Sequence, residues 1–473
     1  MKSFSLRRAV STLCLVTLFV GGGIISAQNA ALASPSWLRH GVIYEVFPRA
    51  FSSNGDFNGI TARLDDLKGL GIDILWLMPI HPIGEKMRKG DVGSPYAVKD
   101  YYAINPDYGS ADDLKRLITQ AHRRDMKVIM DLVANHTAWD CVLMSHPDFY
   151  KQDGNGHILP PNPAWSDVAG LNYANPQLRR YMIAMMKHWI DPSGFDFDGF
   201  RCDVAGEIPT SFWEEARAEL LKVKPDIILL AEASKPDLMV KAFDVDYSWP
   251  LLSALNRVML DGAPALDLQQ SWEQTRREFP PGALHMRISD DHDEARAVAR
   301  YGIRGALAAS ALMFTLDGVP LLYNGMEAGD ATESGDPALF ERIPVFWHPK
   351  ARPDLPAIYS SLISLRKKFA PFQNDCVTWL HASDATNTLS FMRRDESDEF
   401  VVVINFSNRP QKTSVDVDHA GDFRPVKIAG MPDAGADSLT ALNLPGFGWR
   451  IYHRSVVKAA GEQTQLEHAK LTE

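Results

Sequence analysis

Cysteine is scarce in this chain. There are four among 473 residues, at 14, 141, 202 and 376. Once an N-terminal leader is set aside three remain, none at metal-ligand spacing, which excludes a disulfide framework and a thiolate metal site. A glycine-rich phosphate loop is also missing, and with it the usual support for a dinucleotide or P-loop enzyme. No basic patch or arginine-rich arm is present, and 49 Lys and Arg against 59 Asp and Glu leave a net charge of −10. That balance argues against nucleic acid as a partner.

Only one long apolar run exists, and it lies at the start. Lys2, Arg7 and Arg8 precede "AVSTLCLVTLFVGGGIISA", and Ala31 to Ala33 form a small-x-small cleavage site. Residues 1–33 therefore read as a signal peptide. A transmembrane anchor is the weaker reading because three glycines interrupt the run. Cys14 has no lipobox before it. Removing the leader takes away three positive charges and moves the net charge from −10 to −13. The expectation is an acidic soluble protein, secreted or periplasmic, with no membrane partner after cleavage.

Short apolar runs recur through the body of the chain: 42–47, 73–80, 127–134, 197–204, 227–233, 243–247, 284–290 and 319–325. Continuous apolar runs of this length suit strands covered on both faces. Amphipathic stretches such as "SADDLKRLITQAHRRD" separate most of them, the first opening on a capping serine and early acids. "RGALAASALMFTL" is apolar nearly all round, so it should be buried. This alternation predicts the α/β class and a (β/α)8 TIM barrel; a doubly wound sheet is the alternative.

Two regions break the alternation. Residues 137–172 form a long Pro/Gly/Asn-rich loop, read as a small inserted domain after the third strand. From 371 to 455 short strands follow without helices, predicting a C-terminal antiparallel β-sandwich. The barrel is then 34–136 plus 173–370, and 456–473 a polar tail.

The stretch "DGFRCDVAGE" (198–207) carries a problem. Arg201 and Asp203 stand two apart in an apolar strand and so point the same way. Buried charges are almost always paired. Catalytic groups of such barrels sit at the C-terminal strand ends. The ends here carry Asn135 and His136, then Arg201 and Asp203, then Glu232, then Asp291, His292 and Asp293. Any one of these is commonly a cap or a structural ion pair; their convergence points to chemistry. Two carboxylates across a glycosidic bond can run a double displacement. Arg201 would keep Asp203 charged as nucleophile, while Glu232, after the apolar "IILLA", sits where a proton is retained.

Four ordered segments, "DLVANH" (131–136), "GFRCDVA" (199–205), "LLAEAS" (229–234) and "ISDDHDEAR" (288–296), resemble the α-amylase family of glycoside hydrolases. "GSPYAVKDYYAINPDYGS" (93–110) and "GVPLLYNGMEAG" (318–329) add to the likeness. The resemblance implies that Asp203 is nucleophile, Glu232 general acid/base and Asp293 the third acid gripping sugar hydroxyls. It implies that His136 and His292 hydrogen-bond the sugar, that Tyr96 lies beneath it, and that Arg342 binds near Asp293. The substrate implied is a starch-like α-glucan or maltooligosaccharide. A transglycosylase or isomerase, or an inactive partner subunit, are the competing readings. "DVAGE" is closer to neopullulanase and cyclomaltodextrinase relatives, although their extra N-terminal domain is absent. Gly170, in "VAGLN" (168–172), replaces an acid that binds calcium in typical members. Asn135, Asp167 and the "SNGDFNG" loop (53–59) leave calcium open as a cofactor, without a complete ligand set. Four loop aromatics, Trp139, Trp165, Trp249 and Trp347, could stack on glucose rings or simply pack.

Overall fold

The computed structural model describes residues 30–347, 353–433, 435 and 437–456. Strands β1 (Ile43–Val46), β2 (Ile74–Leu77) and β3 (Lys127–Val133) come first in the chain. A short hairpin follows, β4 (His136–Ala138) with β5 (Val168–Gly170), and then β6 (Gly199–Asp203), β7 (Ile228–Ala231), β8 (Val245–Tyr247), β9 (His285–Arg287) and β10 (Val319–Tyr323). Apart from the hairpin these pair in sequence order, all parallel, and β10 closes back onto β1. This is the (β/α)8 barrel that the alternating runs predict.

The strands are shorter than the apolar runs that announce them. In "DILWLMPI" the strand ends at Leu77. Met78 still donates its N–H to the Val46 carbonyl at 3.0 Å, but Pro79 has no N–H to continue the ladder. Around the barrel the helices bury one face, as in Ala111–His122, where Ser110 and Asp113 cap each other's backbone N–H. From Gly305 to Thr315 every residue of the helix Ala297–Thr315 is buried, as its composition requires.

Past the helix Leu355–Lys368 come β11 (Val377–Leu380), β12 (Thr388–Arg394), β13 (Asp398–Asn405), β14 (Gln411–Thr413), β15 (Arg424–Pro425), β16 (Leu442–Leu444) and β17 (Trp449–Ser455). Five form an antiparallel sheet in the order β11-β12-β13-β17-β15, and β14 pairs with β16. Alternation along β13 divides two cores. Phe400, Val402 and Ile404 join the barrel's core, while Val401 and Val403 meet Leu442, Leu444 and Tyr452 on the other face. The C-terminal unit is thus a small sandwich docked on the barrel through one sheet face.

Of the leader, residues 1–29 lie outside the described residues, as do 457–473 of the tail. Ala31 and Leu32 donate backbone hydrogen bonds to Pro281 and Met239, each at 2.9 Å. Cleavage after Ala33 would remove both. Among the described residues no helix is long and apolar enough to cross a membrane.

Candidate active site

Parallel register brings the first two charges together. Asp131 of β3 lies opposite Arg201 of β6, and Val133 opposite Asp203. On the other side Cys202 lies opposite Ala231 of β7, so Glu232 follows at the level of Asp203. Arg201 is fully buried. Its Nη1 donates to Asp131 Oδ1 and to Asp203 Oδ1, both at 3.0 Å, and its Nη2 lies 3.0 Å from Glu232 Oε2. Nε donates to the Tyr247 hydroxyl at 3.2 Å. The rings of Trp76, Tyr96 and Tyr247 lie 5.1–5.7 Å from the guanidinium. One cation in an aromatic box therefore holds three carboxylates.

Burial pushes the Asp203 carboxyl well above its ordinary range, and the Glu232 charge adds to this, while Arg201 draws it down. Burial also raises Glu232, with Arg201 opposing and Asp293 reinforcing. Such a set releases its protons as a unit. The two carboxyls are not equivalent in their contacts. Glu232 Oε2 accepts the Val204 N–H at 2.7 Å. Asp203 Oδ2 has no hydrogen-bond donor among the described residues, and the nearest candidate, His136 Nε2, is 3.9 Å away. Val204 adopts φ +46°, a left-handed conformation that costs a β-branched residue energy and aims its N–H at Glu232.

A second chain of contacts supports the floor of the site. His292 Nδ1 lies 2.6 Å from Glu45 Oε1, and its Nε2 lies 2.7 Å from the Tyr96 hydroxyl. Tyr96 in turn donates to Asp131 Oδ2 at 3.1 Å, as does Trp76 Nε1. A proton inventory fixes the histidine. An ionised Asp131 only accepts, so the Tyr96 proton points to it and Nε2 must donate to the phenol oxygen. An ionised Glu45 only accepts, so Nδ1 must donate as well. His292 is then an imidazolium. The electrostatics agree: burial alone would lower its pKa, but Asp293 and Glu45 raise it to about 10. His136 is the opposite case, lowered by burial to about 4 and hence neutral.

The structure gathers Tyr96, His136, Arg201, Asp203, Glu232, His292 and Asp293 at one mouth. Asp293 is the most open of the acids, with its side chain 39% exposed and Oδ2 3.3 Å from His292 Nε2. Arg342 is a correction. It is exposed, and its Nη2 donates to the carbonyls of Ser53 and Asn54 at 3.1 and 2.5 Å, not to Asp293. Glu45 and Asp131 were not singled out as site residues from the sequence. Each is a lone acid inside an apolar strand, "VIYEVF" and "KVIMDLVA", which is the same signal that exposed Arg201.

The residues left open to calcium do not fit it. Asp167 pairs with Lys89 at 3.0 Å. A Cβ on Gly170 would meet Pro161 N at 3.1 Å and Leu159 O at 3.4 Å, so no acidic side chain has room there. In the 53–59 loop two carbonyls face Arg342, and Asp56 caps a helix by accepting from Gly59 N–H at 2.7 Å.

A barrel with paired carboxylates at its C-terminal rim is the architecture of a glycosidase. Comparison with known proteins agrees. Residues 34–153 and 164–399 match the alpha amylase catalytic domain, and 377–451 the maltogenic amylase C-terminal domain. The chain belongs to the α-amylase family of glycoside hydrolases. It is 30% identical over 417 residues to the alpha-amylase MalA of Haloarcula japonica, covering 83% of this chain and 59% of that one. It is 26% identical to a cyclomaltodextrinase of Geobacillus thermopakistaniensis, over 89% of this chain and 78% of the relative. The solved maltogenic alpha-amylase AmyB of Thermotoga neapolitana superposes with TM-score 0.80 at 29% identity, over 89% of this chain and all of that one.

Two outcomes follow from this geometry. In Glu45→Gln, His292 loses one of its two carboxylates, so its proton should leave at least about one pH unit lower. Imidazole NMR titration reads this directly; an unchanged titration would show that Glu45 does not hold the proton. His292 has a raised folded-state pKa, so its contribution to stability is complete below about pH 6.5 and fades as the pH rises through about 10. For metal, EDTA should leave the melting temperature unchanged; a loss of roughly 10 °C restored by calcium, the effect of an ion bound with several kcal/mol, would reveal a site elsewhere.

Proposed function

We propose that this chain hydrolyses α-1,4-glucosidic bonds in starch-like glucans or maltooligosaccharides by double displacement with retention, and that it is exported with residues 1–33 as its leader. The observation that carries the mechanism is the Arg201 guanidinium touching both Asp203 and Glu232 at 3.0 Å. A single guanidinium between two carboxyls keeps them close, which favours the roughly 5–5.5 Å spacing of a retaining enzyme over the roughly 6.5–9.5 Å of an inverting one.

Asp203 Oδ1 is engaged by Arg201 while Oδ2 is free, so Oδ2 is the nucleophile. It attacks the anomeric carbon as the glycosidic C–O bond breaks, and Glu232 gives its proton to the leaving oxygen. Water then gives a proton to Glu232 and its oxygen to the anomeric carbon, releasing Asp203. Neutral His136 and cationic His292 offer N–H donors to sugar hydroxyls, and Asp293 accepts from them. If a sugar replaces water in the second step, the same residues perform transfer.

Proton NMR of a fresh maltooligosaccharide digest tests the reading. The α-anomer should appear first, with products shorter than the substrate; products longer than the substrate would favour transfer. The β-anomer appearing first would overturn the role of Asp203. Asp203→Asn, nearly isosteric, should lower kcat at least about 10³-fold with the fold intact by circular dichroism. A purified variant with full turnover would remove Asp203 from the mechanism.

A further inference from the structure

The four loop tryptophans separate cleanly once their surroundings are known. Trp139, Trp249 and Trp347 pack against the hydrophobic core; Trp165 does not. Trp139 donates its indole N–H to Ser166 O at 2.9 Å, and Trp347 donates to Phe51 O at 2.7 Å. Trp249 stacks on Tyr247, the ring that closes the Arg201 box, with centroids 4.7 Å apart. Trp165 remains 37% exposed, and its indole N–H has no acceptor among the described residues.

Its backbone, by contrast, is tied on both sides. Before it, the N–H groups of Ala164 and Trp165 donate to Asn162 Oδ1 and O at 3.0 and 2.9 Å. Lys89 Nζ donates to Ala164 O at 3.1 Å and pairs with Asp167 at 3.0 Å. Beyond it, Trp139 holds the Ser166 carbonyl. The tie is also where the ring sits: its centroid is 5.8 Å from that of His136, tilted by 58°, and His136 Nε2 is 3.9 Å from Asp203 Oδ2. A large apolar face is therefore held out of the core, on a clamped turn, one ring away from the proposed nucleophile.

We infer that Trp165 forms a sugar-binding subsite, its indole face stacking on the glucosyl unit next to the one at Asp203. The C–H face of a pyranose is apolar and matches an aromatic ring in size, while the free indole N–H can donate to a hydroxyl. A ring fixed before binding loses little entropy when the sugar arrives. The inference rests on the α-glucan reading above and refines it, because a subsite beyond the cleavage point makes the enzyme sensitive to chain length.

The test is kcat/KM across a series from maltose to maltoheptaose for the wild type, Trp165→Ala and Trp165→Phe. Trp165→Ala should lose about tenfold on the longest chains, through KM rather than kcat, and little on the shortest chain that is cleaved. Trp165→Phe, which keeps a face, should recover most of the loss. Melting by circular dichroism should be unchanged, since the ring does not pack on the core. An active wild type with the same chain-length profile in all three proteins would overturn the subsite alone. A wild type inert on every member of the series would sink the α-glucan reading itself, and the subsite with it.

Discussion

The buried guanidinium of Arg201 is the constraint on which the site depends. A cation removed from water inside the barrel would be untenable without partners. Three carboxylates meet it at 3.0 Å from three successive strands, β3, β6 and the end of β7. The dependence is mutual, because each of those carboxylates is also buried and would lose its charge without the cation. Strand register then has a chemical consequence. A slip of one residue between β3 and β6 would turn Asp131 away from Arg201 and leave the guanidinium with an uncompensated contact. Closure of the barrel fixes that register, since no strand has a free edge along which to shift.

The same economy explains two histidines in opposite charge states within one mouth. His136 begins the hairpin β4–β5, has no carboxylate in hydrogen-bond contact, and burial keeps it neutral. His292 is wedged between Glu45 and Asp293, and those charges overcome burial. Its ring stacks on Tyr96 with centroids 5.5 Å apart, so the phenol is aligned to relay between the imidazolium and Asp131. Glu45, Tyr96, Asp131 and Arg201 thus form one alternating network of donors and acceptors, and its polar ends reach the two carboxyls where the sugar would react.

Much of this was legible in the sequence, for a physical reason. A charge inside an apolar strand has to find a partner, and in a parallel barrel the partner lies on a neighbouring strand at a similar height. That logic paired Arg201 with Asp203. Applied to "VIYEVF" and "KVIMDLVA" it would also have found Glu45 and Asp131. The eight apolar runs located the barrel strands, although not their ends, because a run continues past the point where Pro79 stops the ladder. Arg342 was misplaced for a different reason. It lies in a segment without periodic pattern, where neither helix nor strand spacing says which way a side chain points, and the Ser53 and Asn54 carbonyls took it. The free ring of Trp165 was equally hidden, since composition does not separate it from Trp139.

The inserted segment ties these points together. Gly170 pairs with His136 across the hairpin β4–β5, so the backbone that carries a sugar-binding candidate is set by the close approach of Pro161 to a residue without a side chain. An acid there, holding a divalent ion, would need space that Pro161 and Leu159 fill. Lys89 supplies the positive charge instead, reaching from the loop after β2 to Asp167 and Ala164. A covalently attached ammonium is always present at its site and needs no free ion in the medium. It also bonds with fewer ligands than calcium, which takes six to eight oxygens, so the remaining backbone of the segment is free to make the turn that holds Trp165 beside His136. In this chain the cation that anchors the segment and the turn that shapes the mouth of the site are parts of one arrangement.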